Sequence, residues 1–576
     1  MSQESSNNLS SKLMSHYINI KACISICLTV LSFSFIATHV TQTLYPYLHI
    51  GTLFIAMTIL TYISISSDPI NHGVAVIVFF ASAIRVVVFL HPESLISLDP
   101  DLYAYWASIL VENGFVETMG LDFYEGAPLF LINISVTSII TSMSTVDSMV
   151  LYPLAAGLIF PLTTGTIVKS IRRQPSAQLV LLSMTLAAFS TTMMTFSYRP
   201  KAQLHATFIW CAMFILILYT LQSDQDESKL ITAIVLTLLF SLVISHKLPP
   251  IVVTLVLSVF LGYITLSSRW IQFLSGRFKA HLVAISGILV VVQMVYISDY
   301  LSMVIFRIQR LLMGISGEGS IQDPSEAIYA IPGTVPPLLP LPQSSMTVLV
   351  VERSYIFVLL LLSGVAWLKL FKEKYDKLGP VMVLSVTTVT VALTLIGVGG
   401  ISGINPSRPL LLSEMFLVGM VAWAFSPWER DGRIWRVVLW GILGVFLISQ
   451  IFSPAALPEY DNNPRYYLDK PEVDGKLFGC HYIPDTIHTD TYYAQERYLY
   501  PEYCDSYRSL DRGNPPPLYD GSVIDQDHSY IAHRTGIEVY VGQHTRRILT
   551  WDPELEYDQE YNRIYDNDAV LKYANT

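Results

Sequence analysis

Apolar residues along this chain come in unbroken blocks of about 20, not at the spacing of a soluble amphipathic helix or an alternating strand. A helix of that length crosses a hydrocarbon core of roughly 30 Å. Such blocks lie near residues 19–39, 46–65, 71–90, 148–168, 177–196, 204–222, 230–246, 249–266, 281–298, 354–371, 379–398, 409–426 and 435–452, which predicts thirteen spans. They divide the chain into three spans over 1–90, a loop over 91–147, a bundle over 148–452 interrupted by a loop at 299–353, and a tail over 453–576. A further apolar stretch, 127–144, is settled by charge. Lys and Arg gather on the cytoplasmic side of a membrane. With the N-terminus inside and thirteen spans, sixteen of them fall in inner segments and seven in outer segments before the tail. If 127–144 also crossed, every later loop would flip and the bias would reverse. That stretch therefore reads as a helix on the outer surface. The first apolar block lacks a clear cleavage site and reads as a retained span.

The expected fold is an all-α polytopic membrane bundle of about thirteen transmembrane helices, N-terminus in and C-terminus out. Surface helices occupy its first external loop, and a small external α+β or β domain closes the chain. Composition agrees. Only 14% of the 576 residues are charged, against roughly 25% in soluble domains, which excludes a cytosolic enzyme. The net charge of −10 argues against nucleic acid as a partner, because gripping a phosphate backbone needs a basic excess. Residues 453–576 carry 22 Asp and Glu against 11 Lys and Arg, together with 17 of the 33 tyrosines. These tyrosines either pack a small core or hold sugars by ring stacking. Cys480 and Cys504 are both expected outside and are candidates for a disulfide, whereas Cys23, Cys27 and Cys211 fall in spans.

Two charges fall well inside predicted spans, Arg85 and Glu414, each about 9 Å below the outer surface at the rise of a helix. They read either as an ion pair tying two helices together or as the lining of a cavity open to the outer face. The most informative stretch is 95–130, LISLDPDLYAYWASILVENGFVETMGLDFYEGAPLF. Asp99-Pro100-Asp101 opens a helical pattern that Gly114 stops. Leu102, Tyr105, Trp106, Ile109 and Leu110 give that helix an apolar stripe suited to a membrane surface. The two aspartates read as helix caps or as carboxylates that deprotonate a hydroxyl attacking a lipid-borne electrophile. Asn133-Ile-Ser135 is a glycosylation sequon on the outer side.

This acidic pair at the outer end of an early span, followed by a Tyr-Ala helix ending in Glu112-Asn113-Gly114, resembles the first external loop of the GT-C glycosyltransferases. The order that follows is also theirs: a surface apolar helix from Ala127 to Ser144, then a span closing in Lys169-Ser-Ile-Arg172-Arg173. The closing segment Tyr561–Tyr573 is similar to that of archaeal members, among them the dolichyl-phosphate-mannose mannosyltransferases. The chain departs from the pattern in three places. Pro100 separates the two acids, the span before the loop is the third, and no Trp-Trp-Asp-Tyr-Gly motif occurs. Oligosaccharyltransferases of the superfamily carry that motif, so en bloc transfer to asparagine is not expected.

The resemblance implies transfer of a hexose, with mannose first, from a dolichyl-phosphate sugar to a glycan acceptor on lipid or surface protein. No cofactor and no metal are implied, and the partners are the lipid-linked donor, the acceptor glycan and membrane lipids, with no nucleic acid. Asp99 or Asp101 is the base, with Glu125 and Glu414 left open. Candidates for holding lipid phosphate or substrate are Arg199, Lys201, His246, Lys247, Arg353, Arg408 and Glu414. Each cation alone also reads as an interfacial anchor. The Pro-rich run 331–342 reads as an extended spacer or as a lid. A lipid-linked glycan flippase or transporter, and a glycan polymerase or ligase, are the alternative functions.

Overall fold

The computed structural model describes residues 25–26, 28–36, 46–66, 70–90, 92–114, 122–222, 228–266, 280–297, 346–374, 377–398, 406–426, 433–451, 467–496, 506–509, 530–535, 539–541, 546–548 and 553–574. The Pro-rich run, Cys23, Cys27, Cys504 and the Arg353 side chain lie outside the described residues. Helices in chain order are α1 (Pro46–Ser66), α2 (Ile70–Phe89), α3 (Leu98–Asn113), α4 (Leu129–Thr141), α5 (Leu151–Ile171), α6 (Ala177–Ala188), α7 (Thr191–Ser197), α8 (Ala202–Gln222), α9 (Ser228–Val243) and α10 (Leu248–Leu266). They continue with α11 (Ala280–Val292), α12 (Met346–Lys374), α13 (Leu378–Val398), α14 (Ser407–Ala424), α15 (Arg433–Ile451) and α16 (Lys470–Tyr482).

Among the described residues six helices are long and apolar enough to cross a membrane, or seven if the bent pair α6–α7 counts as one span. This is fewer than the thirteen blocks predicted. Others of those blocks form shorter apolar helices, such as Leu230–Val243 and Arg436–Ser449, or run outside the described residues. The surface-helix block is now α4, 13 residues long. At 1.5 Å per residue it spans about 20 Å, too short to cross.

The bundle is built around α14, in which every residue from Pro409 to Trp423 is buried. It packs on α5, α6, α12 and α13, while α2 packs on α5 and α6. Close approach depends on small residues. Gly157 of α5 lies against the backbone of Ser82 in α2, and a Cβ there would run into it.

The tail is an α+β domain. Strands β1 (Ile487–Thr489), β2 (Tyr507–Ser509), β3 (Tyr530–Arg534), β6 (Asn562–Asp566) and β7 (Val570–Ala574) form a five-stranded sheet in the order β2-β1-β3-β7-β6. β4 (Val539–Val541) pairs with β5 (Arg546–Ile548) in a separate hairpin. β1 is parallel to β2 and β3, and β7 is antiparallel to β3 and β6. Tyr493, Tyr507, Tyr557 and Tyr573 are buried, so these tyrosines pack a core. Gly475 and Gly479 of α16 let that helix lie on the sheet, where a Cβ at Gly479 would strike the Tyr507 hydroxyl and the Lys572 ammonium. Cys480 is disulfide-bonded.

Gly157→Ala should destabilise the α2–α5 contact by about 1–3 kcal/mol, because the Ser82 backbone has no flexible atom to give way. The melting temperature in detergent should fall, whereas Gly262→Ala, which meets nothing, should leave it unchanged.

Candidate active site at the mouth of the bundle

The first turn of α3 separates the two aspartates. Successive helical residues are rotated by about 100°, so positions two apart point to nearly opposite sides. Asp99 is half-exposed and its Oδ2 accepts from Lys201 Nζ at 2.6 Å. Asp101 is 1% exposed and faces the tail domain. Neither is the N-cap. That position is Ser97, whose φ of 86° and ψ of 149° belong to a region essentially reserved for glycine. Gly114 ends the helix in the left-handed conformation, as its place in the sequence predicts. The expected apolar stripe is not the packed face. Tyr103, Ala104, Ala107 and Ser108 are buried, and Leu102, Tyr105, Trp106, Ile109 and Leu110 are half-buried. Small side chains let α3 come close to α4, where Ser135 Oγ donates to the Ala107 carbonyl at 2.9 Å. Ser135 is thereby buried and Asn133 sits within a helix, an unfavourable setting for the sequon.

Around Asp99 the fold collects groups from separate helices. Lys201 stands just before α8. Gln203, two residues on, donates from Nε2 to the Arg408 carbonyl at 2.9 Å, which ties the start of α8 to the start of α14. The Arg408 side chain is exposed. Tyr103 and Tyr124 share a hydrogen bond of 2.7 Å between their hydroxyls. Burial raises both phenols, Asp99 raises them further and Arg408 lowers them, so both charges face this pair. The two tyrosines were not singled out in the sequence. Tyr103 lies among aromatic neighbours, and Tyr124 belongs to a five-residue helix, Asp122–Gly126.

The other candidates divide. His246 is buried in the turn between α9 and α10, where its Nδ1 accepts from the Leu248 amide at 3.3 Å. The charge of Arg408 reaches it. Lys247 and Arg199 are half-buried, and the Nε of Arg199 is enclosed without a protein partner. Glu125 is exposed. Glu414 does not reach the mouth. It is fully buried, and its oxygens accept from the amides of Thr192 (3.3 Å) and Met193 (2.9 Å) and from the Tyr355 hydroxyl (2.5 Å). Nor does it pair with Arg85, which donates from Nε to Ser197 Oγ at 3.1 Å and from Nη1 to the Ala81 carbonyl at 2.8 Å. Both readings of these two charges are corrected: they neither pair nor line an open cavity. Among the described residues no group of three or more metal-ligating side chains occurs.

The tail grips the strand of chain that leads into α3. Leu468 donates its amide to Ser94 Oγ at 2.7 Å and accepts from the Ser94 amide at 3.3 Å. Tyr492 donates to the Leu95 carbonyl at 3.4 Å. Beneath lies a buried pair, Lys476 Nζ and Glu496 Oε2 at 3.2 Å, with Lys476 also donating to the carbonyls of Tyr493 (2.6 Å) and Glu496 (2.5 Å). Asp101 joins this pair as a second carboxylate. Burial pushes its carboxyl well above the usual range and Glu496 adds to the push. Lys476, the Leu95 backbone and Tyr492 only partly offset them. Burial and the neighbouring Glu496 carboxylate therefore both favour the protonated form of Asp101, since one ammonium poorly supports two ionised carboxylates in a dry site. Nearby, Arg534 grips Asp490 through two nitrogens at 2.7 and 2.8 Å.

No family model and no curated protein matches the chain. Among solved structures, the Archaeoglobus fulgidus oligosaccharyltransferase tethered to an acceptor peptide containing the NVT sequon is similar over 88% of this chain and 74% of its own. The identity is 11% and the TM-score 0.51. The same oligosaccharyltransferase, AglB, in complex with an inhibitory peptide and a dolichol-phosphate gives 11% identity over 88% and 75%, with a TM-score of 0.48. ArnT from Cupriavidus metallidurans gives 11% over 88% and 98%, with a TM-score of 0.46. At this identity the likeness to the tethered oligosaccharyltransferase shows a shared fold.

A raised carboxyl favours the folded state at low pH. The stability it confers is complete below the unfolded value of about 3.9 and is lost as pH rises towards its folded value. Wild type should therefore melt at lower temperature as pH rises from about 5 to about 8, and Asp101→Asn, which mimics the neutral acid, should flatten that slope. A slope unchanged by the substitution would show that Asp101 ionises freely.

Proposed function

We propose that this chain is a membrane glycosyltransferase that moves a hexose, mannose first among them, from a dolichyl-phosphate donor to a glycan acceptor on lipid or protein at the external face. The observation that carries the reading is the placement of Asp99. It is the candidate carboxylate that stands half-exposed at the bundle mouth with a cation in contact, whereas Asp101 and Glu414 are buried and engaged elsewhere. In the reaction the acceptor hydroxyl attacks the anomeric carbon of the donor. A new carbon–oxygen bond forms, the bond from that carbon to the lipid phosphate breaks, and the hydroxyl proton passes to Asp99. Negative charge grows on the departing phosphate. Lys201, just before α8, and Arg408, at the start of α14, are brought together through Gln203 and are placed to hold it. Lys201 is already paired with Asp99, so arrival of the donor phosphate draws the ammonium away and frees the carboxylate to accept the proton.

The donor lipid, the sugar and the external orientation rest on the likeness of the first loop and closing segment to archaeal GT-C enzymes and on the charge bias of the loops. Arg199 and Lys247 flank the same mouth and supply further attraction for an anionic headgroup. Asp101 serves the reaction only through α3.

With labelled dolichyl-phosphate mannose and a pool of lipid-linked and surface glycans, Asp99→Asn should lower transfer by about 10²–10⁴-fold. Lys201→Met and Arg408→Met should each lower it by about 10–10³-fold. Asp101→Asn should retain transfer within a fewfold. Loss in Asp101→Asn with retention in Asp99→Asn would reverse the assignment, and wild type inert with every lipid-linked hexose would remove the activity.

A further inference from the structure

The span formed by α6 and α7 bends by 54° between Ala188 and Thr191. No proline or glycine lies at the break, which reads Ala188-Phe189-Ser190-Thr191. Sharp bends without those residues arise where a side chain enters the backbone ladder, and here the side chain is Glu414. Ser190 precedes α7 but makes no capping hydrogen bond with its own side chain to that helix. Instead Ser190 Oγ and the Tyr355 hydroxyl lie 2.8 Å apart, and Glu414 takes the amides of Thr192 and Met193. Those are the second and third amides of α7, the donors an N-cap would satisfy. At the other end Arg85 reaches Ser197, the last residue of α7. A carboxylate thus sits at the positive end of a short helix and a guanidinium at its negative end, the arrangement its dipole favours. Tyr198, Arg199 and Pro200 follow Ser197 and lead to Lys201, which meets Asp99.

We infer that Glu414 and Arg85 are positioning residues that clamp α7 at both ends and thereby hold Lys201 against Asp99. The inference uses the site assigned under the proposed function but concerns its geometry. α2 carries Arg85 and leads towards Asp99, α14 carries Glu414 below Arg408, and α7 leads to Lys201. The clamp therefore locks together the three elements whose ends make the site.

The test reads the contact itself. A zero-length carbodiimide joins a carboxylate and an amine that touch, so the purified full-length chain in detergent should yield an Asp99–Lys201 amide detectable by mass spectrometry. Glu414→Leu and Arg85→Met should each lower that yield about threefold or more, as for residues coupled through one shared element. Glu414→Gln, which keeps one acceptor, should fall between Glu414→Leu and wild type and guards against a variant that does not fold. In the transfer assay Glu414→Leu should lower kcat about tenfold or more, and should add little in a Lys201→Met background. A purely structural role would lower the melting temperature and leave the adduct yield intact, and that result overturns the clamp. Wild type inactive in transfer, with an adduct that still depends on Glu414, overturns the proposed function and leaves the clamp standing.

Discussion

A carboxyl group in an apolar bundle must find donors for its oxygens, and Glu414 finds them in a helix that breaks to provide them. The rest of the site follows from that bond. Had α6 run on unbroken, Thr192 and Met193 would have spent their amides on the preceding turn and Glu414 would have stood alone in a dry interior. The bend costs α6–α7 part of its ladder, offset by two hydrogen bonds from backbone amides to Glu414 and one from Tyr355. What results is a span whose second half is aimed independently of the first. A rigid, wholly buried α14 supplies the reference against which it is aimed.

The second constraint is the geometry of one helical turn. Two aspartates separated by a single residue cannot share a function on a helix, because they look in opposite directions. Asp99 looks to the bundle mouth and Asp101 to the tail, so one turn of α3 serves as a hinge pin between the two parts of the chain. The strained backbone of Ser97 immediately before it fits a segment held from both sides rather than one relaxed by itself.

Much of this was legible in the sequence, and the parts that were not have a common cause. Block length and charge bias reveal spans and loops because hydrocarbon admits little else, and the stop at Gly114 and the length of α4 follow the same local rules. The cations at the mouth could be named, since Lys201 and Arg408 sit where a span meets polar residues. Their pairing could not. Whether Asp99 or Asp101 meets Lys201 depends on which way α3 rolls, and the roll is set by Ala104 and Ala107 packing on α4, against the pull of the larger Trp106 and Ile109. The pair Arg85 and Glu414 misled for a related reason: opposite charges at equal depth suggest each other, yet both turned to the ends of α7, whose existence as a separate helix no proline or glycine announces. Tyr124 lay hidden because a five-residue helix carries no periodicity to read.

The sheet of the tail has its last strand, β7, between β3 and β6 rather than at an edge. During synthesis, α3 emerges on the order of 470 residues before residue 574, an interval of roughly half a minute or more at usual translation rates. Until β7 arrives, β3 and β6 have no common partner, and α16 with Lys476 has an incomplete surface to rest on. Asp101 therefore waits in water, ionised and unclaimed, while the bundle assembles around it. A ribosome that stalls late would leave a membrane-embedded chain whose first turn of α3 is held on the bundle side alone, with Asp101 lacking its partners in the tail.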